Sequence, residues 1–131
     1  MIVTKMKQKI IDWQKFSIPL FLFYCFFFIL LTPAIHEYGH SIAITICGDN
    51  DYEVYLNIKN FYGHVTYDFD KCSLGEIFFI ASFGGIFSSL VYLVLFFIVK
   101  HQEAKLALLI LSILYFAYGI VEGIEVVMKY L

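Results

Sequence analysis

The chain has 131 residues, of which 61% are hydrophobic and only 15% are charged, and its mean hydropathy is +0.81. This composition is far more apolar than that of an ordinary soluble domain, so we expect a membrane protein. The net charge is −2 and the nine basic residues are all lysines. They form no dense basic cluster, so we expect no nucleic-acid partner.

The first segment, residues 1–15, carries Ile10, Ile11 and Trp13 among lysines. This pattern is typical of an amphipathic lead-in whose tryptophan lies at the membrane interface. A basic start before an apolar stretch also occurs in signal peptides, but their apolar core is usually only about 7–15 residues long. The stretch here is longer and continues into polar residues, so we expect a helix that is retained.

Three apolar runs contain neither charged residues nor histidine, and they extend from Phe16 to Ile35, from Ile77 to Val99 and from Leu106 to Val121. A membrane-spanning helix needs about 20 apolar residues. We therefore predict transmembrane helices at about residues 16–47, 74–99 and 105–130, which form one membrane-embedded core over residues 16–131. The first would be about 48 Å long, well beyond a hydrocarbon core of about 30 Å, so it must tilt, kink near Pro33 or leave an end outside, and we expect a kink just before His36.

The link between the first and second spans alternates polar and apolar residues, from Tyr52 to Ile58 and again from Phe61 to Tyr67. Alternation with β-branched and aromatic residues predicts a β-hairpin at about residues 52–67, with its turn near Lys59 and Asn60. The predicted fold class is an all-α membrane protein: three transmembrane helices with a small β-hairpin between the first and second. In the second span, Gly84-Gly85, Ser88 and Ser89 should allow a close helix approach.

The lysines and acids predict the orientation of the chain in the bilayer. Four lysines precede the first span, and Lys100 and Lys105 lie between the second and third, whereas acidic residues dominate the loop at 48–73. By the positive-inside rule, the N-terminus is cytoplasmic, and the 48–73 loop and the C-terminus face outward. The protein is thus expected to be a multi-pass integral membrane protein that contacts the lipid bilayer.

The three cysteines are assigned to no chemistry. Cys25 lies within the first apolar run, where a cysteine usually acts as a small buried hydrophobic residue. Cys47 and Cys72 flank the outward loop and could form a disulfide bond in an oxidising compartment.

The sequence His36-Glu37-Tyr38-Gly39-His40 is a HExxH motif. On a helix, His36 and His40 lie on one face and can donate two imidazole nitrogens to one zinc ion. Glu37 is rotated by about 100° from His36, so it can contact a metal-bound water without being a ligand. At membrane depth each such side chain costs about 2.5–3.5 kcal/mol, which favours a metal site. Alternatively, the motif lies beyond the membrane surface and caps a soluble helix.

A catalytic zinc ion usually has three protein ligands, so a third donor is needed. Glu122 and Glu125 are acids within the third apolar segment. The first and third helices run in the same direction, and counting from their outward ends places both acids at the depth of the two histidines. One acid could bind zinc while the other bonds a ligand histidine, or both could be hydrated at a frayed helix end. His64 in the hairpin is a weaker candidate, and His101 is excluded because it lies on the opposite side.

These residues resemble the site-2 protease family of intramembrane zinc metalloproteases, over the whole three-helix core. That family has HExxH in its first core helix, usually as HExGH, followed by a short β element. Its second core helix has a Gly-Pro motif with an asparagine three residues after the proline, which would fall on Gly84-Gly85 and Ser88. Its third has an Asp-Gly pair, which would fall on Glu122-Gly123. Gly85 and Ser88 thus replace the family's proline and asparagine, and Glu122 replaces its aspartate.

The first functional hypothesis is a minimal intramembrane zinc metalloprotease with a membrane-protein substrate. Its zinc ligands would be His36, His40 and Glu122, with Glu125 as the alternative third ligand. Glu37 would be the catalytic base, and the hairpin edge could hold an unwound substrate segment. The second hypothesis is a non-catalytic zinc-binding membrane protein or a degenerate protease relative, and the third is a structural membrane subunit with an accidental motif. The sequence does not indicate an oligomeric state.

Overall fold

The computed structural model describes residues 11–49, 51–60 and 62–131. The elements are, in chain order, α1 (Ile18–Ile46), β1 (Glu53–Asn57), a 3₁₀ turn (Ile58–Asn60), β2 (Tyr62–Thr66), α2 (Leu74–Ile98) and α3 (Gln102–Lys129). The three helices are long and apolar enough to cross a membrane. The predicted fold class, three apolar helices with a hairpin between the first and second, is therefore confirmed. Most of the predicted lead-in, at residues 1–10, lies outside the described residues.

Local sequence signals mark the ends of α1. The Ser17 side chain accepts a hydrogen bond from the backbone N–H of Leu20, which caps the start of the helix. The helix is continuous through Pro33, which lies in its interior. Gly48 follows the helix end with φ of 87°, a left-handed conformation that favours glycine. The helix is thus delimited by a serine cap and a glycine.

The start of α3 lies at Gln102, three residues before the predicted position. The sequence criterion missed this first turn because it contains charged residues, which are paired in the structure. The Glu103 carboxylate accepts a hydrogen bond of 2.9 Å from the backbone N–H of Ser17. Lys105 Nζ donates to the carbonyl of Phe96 and lies over the ring of the same residue. These contacts tie the start of α3 to the start of α1 and the end of α2.

Glycines bring the helices together, as the sequence predicted for Gly84-Gly85. A Cβ atom on Gly85 would lie 2.5 Å from the Cα of Gly119, so α2 and α3 touch through their backbones. A Cβ atom on Gly39 would lie 3.0 Å from the Cα of Gly84, which brings α1 close to α2. Because hydrophobic driving force is weak between helices in lipid, such close packing is a main source of stability.

Two buried clusters lie along α1. The first packs Phe28 against Tyr92 of α2 and Leu108 of α3. The second packs Ala43 and Ile44 against α2 and against side chains of the hairpin region. The HExxH motif lies between these clusters along α1, so packing above and below it fixes the position of its side chains.

The hairpin is antiparallel, with Leu56 of β1 opposite Gly63 of β2 and Tyr55 opposite His64. Its turn is the 3₁₀ segment at the predicted position. Of the two strands, β2 makes the more extensive contact with α1. The hairpin therefore presents β2 to the helix that carries the HExxH motif.

Candidate metal centre

Three side chains from two helices converge, namely His36 and His40 from α1 and Glu122 from α3. The Nε2 atoms of the two histidines are 3.0 Å apart. Glu122 Oε2 lies 3.2 Å from His36 Nε2, and Glu122 Oε1 lies 3.7 Å from His40 Nε2. One ligand atom from each residue lies within 4.8 Å of the others, so the group could hold a metal ion.

Helix direction explains why these residues meet. The starts of α1 and α3 are joined by the bond between Ser17 and Glu103, and further along both helices Glu122 meets the two histidines. The two helices therefore run in the same direction. His36 and His40 share a face because they are four residues apart on α1.

The orientation of the His40 ring directs its Nε2 atom toward the other two members of the group. The Nδ1–H group of His40 donates a hydrogen bond of 2.7 Å to the backbone carbonyl of Ile80 in α2. A neutral imidazole with its proton on Nδ1 has a lone pair on Nε2. A backbone carbonyl that fixes the second ring nitrogen in this way is a usual feature of histidines that bind metals.

Glu122 provides the strongest sign that a cation belongs here. Its Oε2 atom is buried and makes no hydrogen bond among the described residues, although it lies 3.2 Å from Nε2 of His36. His36 and His40 are themselves buried, with 8% and 9% of their surface exposed. A buried carboxylate oxygen without a hydrogen bond is costly in an apolar helix bundle, and a cation held between it and the two Nε2 atoms would remove that cost. The donor set present therefore fits a metal ion.

The space for the His40 ring depends on a glycine in α2. A Cβ atom on Gly84 would lie 2.5 Å from Nε2 of His40 and 2.6 Å from Cε1. No other residue would leave the ring in place, since ordinary contacts begin at about 3.5 Å. The absence of a side chain at Gly84 thus lets the imidazole of His40 pack directly against the backbone of α2.

Glu37 lies beside the group but is not one of its members. It is 5% exposed, and its side chain faces Gly63 of β2, where a Cβ atom would lie 2.7 Å from Glu37 Cγ. Strand β2 can approach this carboxylate so closely only because residue 63 has no side chain. The hairpin therefore covers the glutamate of the motif.

Two cavities adjoin at Glu37 and Gly63. The first, which we call the β2 pocket, has a volume of about 190 Å³ and is lined by β2 on one side and by α2 and α3 on the other, with Glu37, His40 and Glu122 in its wall. The second, which we call the α1–α3 cleft, has a volume of about 490 Å³ and is lined by Thr32, Pro33, His36, Glu37, Gly63 and Tyr118, among others. The motif is thus accessible from two sides.

The other residues considered from the sequence lie elsewhere. Glu125 is exposed and is not part of the group that could hold a metal. His64 is exposed on β2, and its ring contacts those of Tyr55 and Tyr62. His101 precedes α3 near the start of α1, far from the motif along both helices. Of the two candidate glutamates, the structure brings only Glu122 to the histidines.

Sequence reasoning missed three features of the site. It did not identify Gly63 as the residue that admits β2 to Glu37, nor the Ile80 carbonyl that fixes His40. It also overlooked Tyr118, whose ring centroid lies 5.6 Å from that of His36. Only Tyr118 had a usable signal, because it precedes Glu122 by four residues and so shares its helix face.

The three cysteines are free. At the hairpin end of the bundle, the Tyr67 hydroxyl donates to the Asp49 carboxylate at 3.2 Å and lies 3.7 Å from Cys72 Sγ. The contact with Cys72, together with burial, raises the pKa of Tyr67. Burial also raises the pKa of the Cys47 thiol, and the nearby Glu76 and Cys72 raise it further. Both groups are therefore neutral at neutral pH.

Comparison of the chain with protein-family models, with curated proteins and with solved structures gave no match.

Proposed function

We propose that this protein is an intramembrane zinc metalloprotease that hydrolyses a peptide bond in a membrane-embedded protein substrate. The observation that carries the proposal is the convergence of two histidine Nε2 atoms with a buried oxygen of Glu122 that makes no hydrogen bond among the described residues. A glutamate that is not a member of this group lies next to it, between two cavities. A site that only stored a metal would have no need for such a base.

Zinc is the metal that this donor set favours. Two histidines and one carboxylate, with a further position left open, are typical of catalytic zinc sites in hydrolases. When bound, zinc supplies Lewis acidity that polarises a carbonyl group and makes water nucleophilic near neutral pH. His36, His40 and Glu122 would hold the ion, and the Ile80 carbonyl would keep His40 in the required tautomer.

Glu37 is the proposed general base. It would take a proton from the attacking water as that water adds to the carbonyl carbon, and would then give the proton to the departing amine. Its exposure of 5% and its cover by β2 keep bulk water away from this transfer. The two cavities beside it leave room for a peptide and for the water that hydrolysis consumes.

The hairpin is the proposed holder of the substrate. A helical peptide has all its carbonyls engaged in hydrogen bonds, so a membrane-spanning substrate must unwind before it can be hydrolysed. Gly63, His64 and Val65 of β2 line the pocket that also contains Glu37. An extended segment that paired with the edge of β2 would keep its backbone hydrogen bonds satisfied beside the base.

The first test is the zinc content of the detergent-purified protein and four variants. We expect about one zinc ion per chain in the parent and in Glu37→Gln, but much less in His40→Ala and Glu122→Ala. Glu125→Ala is the matched control, because Glu125 is an exposed glutamate one turn further along the same helix. It should keep its zinc.

The second test is cleavage of membrane-spanning model peptides that carry a central Asn-Gly pair to weaken the helix. Zinc-loaded parent protein should cleave such a peptide, and zinc-loaded Glu37→Gln should not. A folded parent protein without zinc, even after metal is supplied, would refute the metal site and with it the enzyme. Zinc without any cleavage would instead favour a non-catalytic zinc-binding membrane protein.

A further inference from the structure

Peptide hydrolysis at this site calls for a hydrogen-bond donor that the HExxH motif does not supply. As water adds to the scissile carbonyl, negative charge develops on the carbonyl oxygen, and donors aimed at that oxygen lower the barrier. Glu37 accepts a proton in this step, so it cannot also be the donor. The donor must come from another side chain that faces the two cavities.

Most hydroxyl groups near the site are already used. Ser88 is fully buried and its hydroxyl donates to the carbonyl of Gly84. Ser41 donates to the carbonyl of Glu37 in the same helix. Thr32 donates to the carbonyl of Phe28. None of these hydroxyls is therefore available to a substrate.

Two side chains of the hairpin also reach the cavities. His64 lines the β2 pocket and Tyr62 lines the α1–α3 cleft. Both are exposed, and their rings contact each other rather than the ring of a ligand histidine. They are therefore less closely associated with the metal group than a side chain that contacts one of its ligands.

Three tyrosines line the α1–α3 cleft, Tyr62, Tyr115 and Tyr118, and of these only Tyr118 has its ring in contact with a ligand histidine. It precedes the ligand Glu122 by one helical turn on the same face of α3, and its ring lies 5.6 Å from that of His36. It lines the α1–α3 cleft together with His36 and Glu37. The side chain is 51% exposed, and the structure records no hydrogen bond of its hydroxyl within the described residues.

We propose that Tyr118 is a catalytic residue, whose hydroxyl donates a hydrogen bond to the scissile carbonyl oxygen as that oxygen gains charge. The hydroxyl keeps its proton throughout: the water loses one proton to Glu37, the carbon–nitrogen bond breaks, and the amine leaves with that proton. This inference rests on the proposed protease function. It assigns a catalytic role to a side chain outside the HExxH motif.

The test compares two probes with the same apolar tripeptide sequence on zinc-loaded protein. One probe carries a phosphinic group in place of the scissile amide, which mimics the charged, tetrahedral carbon. The other carries a thiol, which binds zinc but offers no oxygen at that place. In Tyr118→Phe we expect the Kd of the phosphinic probe to rise about 10- to 100-fold, the range for one lost hydrogen bond to a charged group.

Tyr130→Phe is the matched control, since Tyr130 follows Glu122 by about two turns of α3, lines neither cavity and packs against Phe69. This variant should bind both probes as the parent does, and the thiol probe should bind all variants equally. Zinc content should be unchanged in Tyr118→Phe. A second variant, Tyr118→Leu, also lacks the hydroxyl and should show the same selective loss.

Three results would overturn the inference. They are an unchanged phosphinic Kd in Tyr118→Phe, an equal loss for the thiol probe, and a loss of zinc in that variant. In each case the parent would still bind the probes, so the proposed function would stand. A zinc-loaded parent that bound neither probe would instead refute the protease function, and the role of Tyr118 with it.

Discussion

Replacement of Gly84 by alanine should abolish tight zinc binding without touching a ligand. The new Cβ atom would lie 2.5, 2.6 and 2.8 Å from three atoms of the His40 ring. Non-bonded atoms prefer about 3.5 Å, so the ring would have to move by roughly 1 Å. Zinc–nitrogen bonds are about 2.0–2.1 Å long and tolerate about 0.2 Å, so a shift of this size breaks the coordination.

The displacement has a second cost, because the ring is also held by its hydrogen bond to Ile80. Loss of an outer partner of a ligand histidine typically lowers metal affinity about 10- to 100-fold. We therefore expect at least this increase in the zinc Kd of Gly84→Ala, measured by competition with a chromogenic chelator in detergent.

Gly75→Ala is the matched control on the same helix. A Cβ atom on Gly75 would have only the Ser73 hydroxyl near it, at 4.0 Å, so the substitution meets no obstacle. Its zinc affinity should equal that of the parent. Equal zinc affinity in Gly84→Ala, with the helical content retained, would refute the placement of His40 as a ligand.

Four further predictions follow from the same geometry. Glu122→Asp shortens the side chain by one carbon–carbon bond of about 1.5 Å, so a metal titration should show weaker zinc binding, whereas Glu125→Asp should match the parent. Gly63→Ala would place a Cβ atom 2.7 Å from Glu37 Cγ, so cleavage of the model peptides should fall while zinc content stays at the parent level. A parallel loss of zinc would contradict the separate roles of Glu37 and the metal ligands. Tyr92→Phe removes a hydroxyl that donates to the Phe28 carbonyl at 2.8 Å, which should lower the free energy of unfolding by about 0.6–1.5 kcal/mol. Thermal unfolding in detergent measures this, with Tyr130→Phe, on a half-exposed ring, as the control. Because burial and the neighbouring Glu76 and Cys72 raise the pKa of the Cys47 thiol, less thiolate is present at a given pH than for an ordinary cysteine. Peptide mass spectrometry should show slow alkylation of Cys47 near neutral pH that speeds up as pH rises, and Glu76→Gln should react faster.

The fold could be predicted from the sequence because its signals are local. The three helices follow from uninterrupted apolar runs, and the hairpin follows from alternation over β1 and β2. The start of α3 was misplaced because the polar residues of its first turn are satisfied by partners in α1 and α2. No rule based on hydropathy can detect such partners, since they are distant along the chain.

The depth of the third ligand could also be predicted, but not its identity. Counting residues along helices that run in the same direction placed Glu122 and Glu125 at the level of the histidines. Choosing between them requires the rotation of α3 about its own axis. The sequence predicts the rotation of a helix only when one of its faces is clearly more apolar than the others. A membrane helix is apolar on nearly all sides, so its sequence gives little indication of which side faces its neighbours. In the structure the rotation of α3 is set by the backbone contact of Gly119 with α2.

This glycine contact also bears on Gly85 and Glu122, two positions that differ from the site-2 protease motifs proposed for this chain. A proline at position 85 would not fit, because even a Cβ atom there would lie 2.5 Å from Gly119 Cα. Contact between α2 and α3 is in fact the most extensive in the bundle, and that between α1 and α3 is smaller. Glutamate at position 122 extends one methylene further than aspartate, which gives α3 a ligand of longer reach toward the histidines of α1.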